Sequence, residues 1–117
     1  MTELILLMIL VVHFIADFVA QTDKQAKGKS TDNIYLFEHV ASYTFIWMLI
    51  LCFILSPLNA AIFVLITFTC HFLTDYFTSR AVKHFFSKGD HHNGFIVIGF
   101  DQILHYVQLY LTIKFLL

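Results

Sequence analysis

Apolar residues run almost unbroken over 4–20, 35–56, 59–80 and 95–117, with polar stretches after the first and third blocks. Each block has the roughly 20 residues that a helix rising about 1.5 Å per residue needs to cross a bilayer. The pattern predicts an all-α polytopic membrane protein, one domain over residues 1–117 with four transmembrane helices in two antiparallel hairpins. The first connection, QTDKQAKGKSTDN, is hydrophilic and carries Gly28, so it reads as a loop with room for a short helical turn. Ser56-Pro57-Leu58-Asn59 predicts a tight uncharged turn, because proline ends one helix and suits the first turn of the next. The third connection, AVKHFFSKGDHHN, is polar and basic; Gly89 and Gly94 read as breakers, and its front half as an amphipathic interfacial turn. The start Met1-Thr2-Glu3-Leu4 lacks a basic leader region, and Phe18-Val19-Ala20 lacks the small residue of a cleavage site, so the first block reads as a retained helix.

The interruptions in these blocks carry the chemistry. His13 and Asp17 fall in the first, His39 in the second, His71 and Asp75 in the third, Asp101 and His105 in the fourth. Positions four apart lie on one helix face, so three of the blocks each present an imidazole and a carboxylate to a common partner. An aspartate at mid-bilayer costs about 2.5–3.5 kcal/mol, while each Leu, Ile, Phe or Val returns only about 0.3–0.6. Three aspartates therefore require compensation. HFIADF at 13–18 also resembles HFLTDY at 71–76, which suggests a duplicated hairpin with a pseudo-two-fold axis along the membrane normal.

Composition sharpens the class. The 117 residues are 59% hydrophobic and only 13% charged, against roughly a quarter charged in soluble domains, and the mean hydropathy is +0.78. A net charge of -1 gives no basic footprint, so specific nucleic-acid recognition is excluded as an expectation. Cys52 and Cys70 lie in apolar runs and read as small buried hydrophobes. Six of the seven Lys and Arg residues fall in the first and third connections, which the positive-inside rule places in the cytoplasm. Both termini then lie outside a bacterial inner membrane. In that orientation all four helices bring their polar groups to the cytoplasmic half of the bilayer.

His13, Asp17, His39, His71, Asp75, Asp101 and His105 are therefore the expected ligands of a divalent transition metal. Mixed imidazole and carboxylate donors suit zinc first, with manganese or iron as alternatives. Seven donors suffice for one ion, or for two sharing a bridging carboxylate, as in carboxylate helical bundles. Asp17, Asp75 and Asp101 are the candidate catalytic carboxylates. Gln21, Tyr43, Thr67, Thr78, Gln102 and Gln108 are expected to hydrogen-bond the ligands. The plainer account of the same residues is cross-helix hydrogen bonding, worth about 0.6–2 kcal/mol per pair in membranes. Lys29 and Arg80 are candidates to hold a phosphate, beside the simpler role of the basic residues as topology signal and lipid-headgroup contact. Glu38 points about 100° away from His39 on a helix, and His84, His91 and His92 read as solvated loop residues. The phenylalanines read as lipid-facing.

At HFIADFVAQTD, HFLTDYFTSR and IGFDQILH the sequence resembles a family of small bacterial and phage membrane proteins catalogued as a domain of unknown function. A looser similarity, in the use of intramembrane histidine and aspartate, is to inner-membrane proteins described as metal-dependent hydrolases. The expectation is a membrane-embedded hydrolase of a phosphate ester, such as a phospholipid headgroup or a nucleotide-like metabolite. The alternatives are a metal-ion or proton transporter using the same cluster, and a small interaction or phage-accessory protein. Expected partners are the lipid bilayer and a further copy of the chain. The apolar stretches 4–11 and 46–55 hold no ionisable group inside the membrane, which favours a site open on one side only.

Overall fold

The computed structural model describes residues 2–117, and among these there is no strand. Five α-helices follow one another: α1 (Thr2–Phe14), α2 (Asp23–Gly28), α3 (Asn33–Leu51), α4 (Pro57–Ser87) and α5 (His91–Leu116). A π-helical turn, Ile15–Val19, continues α1. The apolar length of α1 with its π turn, and of α3, α4 and α5, makes four helices long and apolar enough to cross a membrane.

The helix ends follow from local chemistry. Thr22 and Gln25 form a reciprocal capping box that starts α2, the short helix inside the first connection. Asp32 accepts from Ile34 N at 2.8 Å and starts α3. That helix ends at Leu51, not at 56, because Cys52–Leu55 tighten into a turn before Ser56 caps α4 and Pro57 takes its first position. At its other end α4 runs to Ser87, seven residues beyond the expected stop at Arg80. The reversal is delayed to Gly89, whose φ of +74° is the left-handed conformation that closes a helix. Asp90 then caps α5 through Asn93 N. Gly94 is not a breaker: it is buried inside α5 against Phe86, where a Cβ would lie 2.1 Å from the ring.

Partners fall in number on one helix as they rise on its neighbour. Asn59 meets Leu116, Thr67 meets Gln108 and Asp75 meets His105, so α4 and α5 run antiparallel. Trp47 with Phe63 and His39 with His71 show the same for α3 and α4, and Tyr43 with His13 and His39 with Asp17 for α1 and α3. One half of the bundle is filled by an apolar core that includes Ile9, Trp47, Phe63, Leu109 and Ile113. The other half holds the polar groups. Large apolar side chains cover the outside, with Phe53 and Phe115 each 89% exposed, a surface suited to hydrocarbon and rare on a soluble monomer.

At 31 residues α4 is about 46 Å long, more than the roughly 30 Å hydrocarbon core requires. The surplus is the stretch Ala81–Ser87. The internal echo is not repeated in the backbone, since HFIADF enters a π turn while HFLTDY is regular α-helix.

Candidate metal centre

All seven histidines and aspartates expected as ligands are buried, and they meet in one place. His71 and Asp75 project from the same face of α4, and His39 faces them from the first turns of α3. Asp17 reaches the same point from the π turn. Ala20 N there donates to Ile15 O at 2.9 Å, five residues back, so the turn is one residue wider than α and swings Asp17 inward.

Four atoms form the tightest group: Asp17 Oδ1, His39 Nε2, His71 Nε2 and Asp75 Oδ2. His39 Nε2 is 3.2 Å from His71 Nε2, 2.9 Å from Asp17 Oδ1 and 3.3 Å from Asp75 Oδ2. His71 Nε2 is 3.5 Å from Asp17 Oδ1 and 3.3 Å from Asp75 Oδ2. Ligands bound tetrahedrally to zinc at about 2.0–2.1 Å are separated by about 3.3–3.4 Å. Five measured edges thus scatter around the edge of a zinc tetrahedron.

The same contacts also serve as hydrogen bonds between helices: His39 Nε2 lies 2.9 Å from Asp17 Oδ1 and 3.2 Å from His71 Nε2. Nδ1 of His39 and of His71 lacks a partner, and the His71 ring is held by packing, stacked on His105 and against Tyr43. A second group, Asp17, Asp101 and His105, offers ligand atoms all within 4.8 Å of one another. His105 Nε2 lies 3.0 Å from Asp75 Oδ1 and 3.2 Å from Asp101 Oδ2. Asp17 belongs to both groups, and Asp75 has one oxygen toward each. Asp101 accepts from Thr78 Oγ1 at 2.5 Å and from Gln102 Nε2 at 3.1 Å.

His13 does not share this exposure of a free nitrogen. Gln102 Oε1, whose amide is oriented by Asp101, accepts from His13 Nε2 at 2.7 Å, and Tyr43 Oη donates to His13 Nδ1 at 2.8 Å. With both nitrogens engaged, His13 sits 3.4 Å from Asp17 Oδ2 and holds that carboxylate in place. Of the other polar residues expected nearby, Gln108 bonds Thr67 and Thr112 at 3.0 and 3.1 Å, knitting α4 to α5 beside the cluster. Glu38 is exposed.

Lys29 folds back from the end of α2 to place Nζ 3.0 Å from Asp75 Oδ2. Burial alone would lower its pKa, but the carboxylates of Asp75, Asp17 and Asp101 outweigh it and hold the lysine above its ordinary value of 10.5. The stabilisation from this pairing is complete below that ordinary value and is lost only as pH rises through the higher folded one. Three carboxylates against one lysine leave two negative charges when the imidazoles are neutral, which is the charge of one divalent cation. Arg80, the other expected phosphate ligand, turns elsewhere: it donates to Asn33 Oδ1 and Tyr76 O and stacks 3.7 Å over the Tyr76 ring.

A cavity of about 280 Å³ opens beside the cluster, reaching Asp17 and Asp101. Lys29 and Lys83 line it, with Thr78, Ser79 and Gln102. Ser79 Oγ and Gln21 Oε1 are buried there without partners. Lys83 and Ser79 were not singled out in the sequence. For Lys83 the missing signal is the continuation of α4: Val82 and Lys83 join the stripe of Asp75, Thr78 and Ser79 only if the helix passes Arg80.

Deleting Ile15 is expected to convert the π turn to regular α-helix and rotate Asp17 by about 100°. Metal retention should then fall at least tenfold, read by elemental analysis, while helical content by circular dichroism is unchanged. Undiminished retention would show that the widened turn does not position Asp17.

Four apolar helices around a buried imidazole–carboxylate centre define the class. The chain belongs to the family described as "Protein of unknown function (DUF3307)", whose model matches residues 5–117. Comparison with curated proteins and with solved structures found no match.

Proposed function

We propose that the protein is a membrane-embedded, metal-dependent hydrolase of phosphate esters, with its site in the cytoplasmic half of a bacterial inner membrane. The basic connections would be cytoplasmic and both termini outside. The observation that carries the reading is the convergence of Asp17, His39, His71 and Asp75 at separations of 2.9–3.5 Å, next to a cavity lined by two lysines. Zinc fits the donor set and the separations, and manganese or iron would suit the same mixed ligands. Two ions are accommodated if Asp101 and His105 hold the second. When bound, a divalent ion supplies a Lewis acid that polarises a phosphoryl oxygen and acidifies water.

The chain's own residues supply the rest. Lys29 and Lys83 balance the charge of the phosphate, and Asp101, fixed by Thr78 and Gln102, faces the cavity as base. The water oxygen bonds to phosphorus as Asp101 takes its proton. The bond from phosphorus to the ester oxygen breaks, and Asp101 returns the proton to that oxygen, giving an alcohol and phosphate.

The transporter alternative requires a path to the far side. That path is filled by Trp47, Phe63, Leu109 and Ile113, which supports a one-sided site.

The test is metal content of detergent-purified protein, then phosphate release from p-nitrophenyl phosphate with added zinc, manganese or iron. Asp101→Asn is expected to retain the ion held by Asp17, His39, His71 and Asp75 and to lose about 10²–10⁴ in kcat, the usual worth of general base catalysis. Release by none of the three metal forms, or metal uptake by proteoliposomes without hydrolysis, would overturn the reading.

A further inference from the structure

The cavity beside the cluster is not uniform. Its lining is polar at Asp17, Asp101 and Gln102 and cationic at Lys29 and Lys83, with Lys29 Nζ 3.0 Å from Asp75 Oδ2 and Lys83 exposed. It also has an apolar part, made by Phe18 of the π turn, Val82 of α4 and Ile98 of α5. Phe18 is also 48% exposed on the outer face of the bundle, stacked on exposed Phe14 with ring centroids 6.0 Å apart. Phe95 and Phe100, flanking Ile98 along α5, are exposed as well. The same side chain therefore faces the cavity on one side and the lipid-facing surface on the other.

A volume of about 280 Å³ is at the small end of the roughly 300–1,000 Å³ of ligand pockets, so a lipid with two acyl chains would extend beyond it. Of the lining residues, Lys83 and Phe18 are exposed, so the cavity is bordered by a solvated lysine and by a side chain of the outer apolar surface. An anionic headgroup with an apolar tail satisfies both linings at once, whereas a nucleotide-like metabolite would set its polar remainder against the apolar wall.

We propose that the substrate is a membrane phospholipid whose phosphate enters between Lys29 and Lys83 while its hydrocarbon portion leaves between Phe18 and Ile98. The proposal rests on the hydrolase reading above and names the substrate class of that site. The bond broken joins phosphorus to an ester oxygen of the lipid, with water supplying the new oxygen on phosphorus and the proton on the alcohol released.

The experiment uses the full chain, metal-loaded, in detergent mixed micelles. The probes are dioleoyl phosphatidic acid, dioleoyl phosphatidylglycerol, glycerol 3-phosphate and p-nitrophenyl phosphate. One of the two lipids is expected to show kcat/KM at least 100-fold above glycerol 3-phosphate. Ile98→Trp, which narrows the lateral exit, should lower the ratio of lipid to p-nitrophenyl phosphate turnover at least tenfold. Lys83→Met should raise KM for lipid and soluble esters alike by about tenfold, with kcat changing less. Equal turnover of lipid and soluble esters, or a ratio unmoved by Ile98→Trp, would overturn the lipid assignment and leave the hydrolase standing. Hydrolysis of none of the four probes would overturn both.

Discussion

Replacing His71 with alanine is expected to strip the metal from the protein. His71 Nε2 contributes three of the five measured edges, to His39, Asp17 and Asp75, so without it the remaining donors no longer enclose a point. Loss of a residue that merely supports a ligand typically costs about 10–100-fold in metal affinity, and loss of the ligand itself should exceed that. Gel-filtered His71→Ala should carry less than about a tenth of the wild-type metal. The ring also stacks on His105, with centroids 4.1 Å apart, so alanine leaves a cavity as well as a missing donor. His71→Cys separates the two effects, because a thiolate can bind zinc at about 2.3 Å without restoring the ring contact. Cysteine should recover zinc binding; full metal content in the alanine variant would remove the centre altogether.

The second large effect is expected at Asp75. Its oxygens lie 3.0–3.3 Å from His39, His71, His105 and Lys29. In Asp75→Leu the lysine and three imidazoles lose their shared acceptor, and breaking a buried ion pair from one side costs about 3–5 kcal/mol. Unfolding in mixed micelles titrated with sodium dodecyl sulfate should show a loss of that size. Asp75→Asn should lose less, since its amide oxygen still accepts from Lys29, although the amide nitrogen that replaces the other oxygen no longer accepts from His105. Adding Lys29→Met to Asp75→Leu should restore about 1–3 kcal/mol, the range of coupling between neighbours in direct contact. A leucine variant as stable as wild type, with no recovery in the double variant, would show that the pair contributes nothing to the fold.

The helical architecture and the cluster were both legible in the sequence, through one physical fact. Ionisable groups are costly in hydrocarbon, so seven of them at matched depths in four apolar blocks had to meet. The roles within the cluster were harder to read. His13 and Asp17 have the same spacing as His71 and Asp75, yet His13 is claimed by Tyr43 and Gln102, which lie 30 and 89 positions away. Nothing local in Ile15-Ala16-Asp17-Phe18-Val19 specifies a π turn, which reflects packing against α3. Lys29 sits in a stretch hydrophilic enough to be solvent-exposed. It is half-buried because the Thr22–Gln25 capping box folds α2 so that the chain returns over the site. Arg80 looked one turn from Asp75 and available, but its longer reach is spent on Asn33 and Tyr76, while Lys83, one turn further along a helix expected to have ended, lines the cavity.

The four clustered side chains come from separate parts of the bundle: Asp17 from the π turn, His39 from α3, His71 and Asp75 from α4, with α5 attached through the His105 contact to Asp75. Between helices surrounded by lipid tails there is no hydrophobic force to gather them, because acyl chains are as apolar as leucine. A divalent ion at the crossing would act as a keystone, turning three loosely attracted rods into one braced body. Starving cells of the metal would then empty the site and leave the newly made rods unbraced, open to proteolysis before any question of turnover arose.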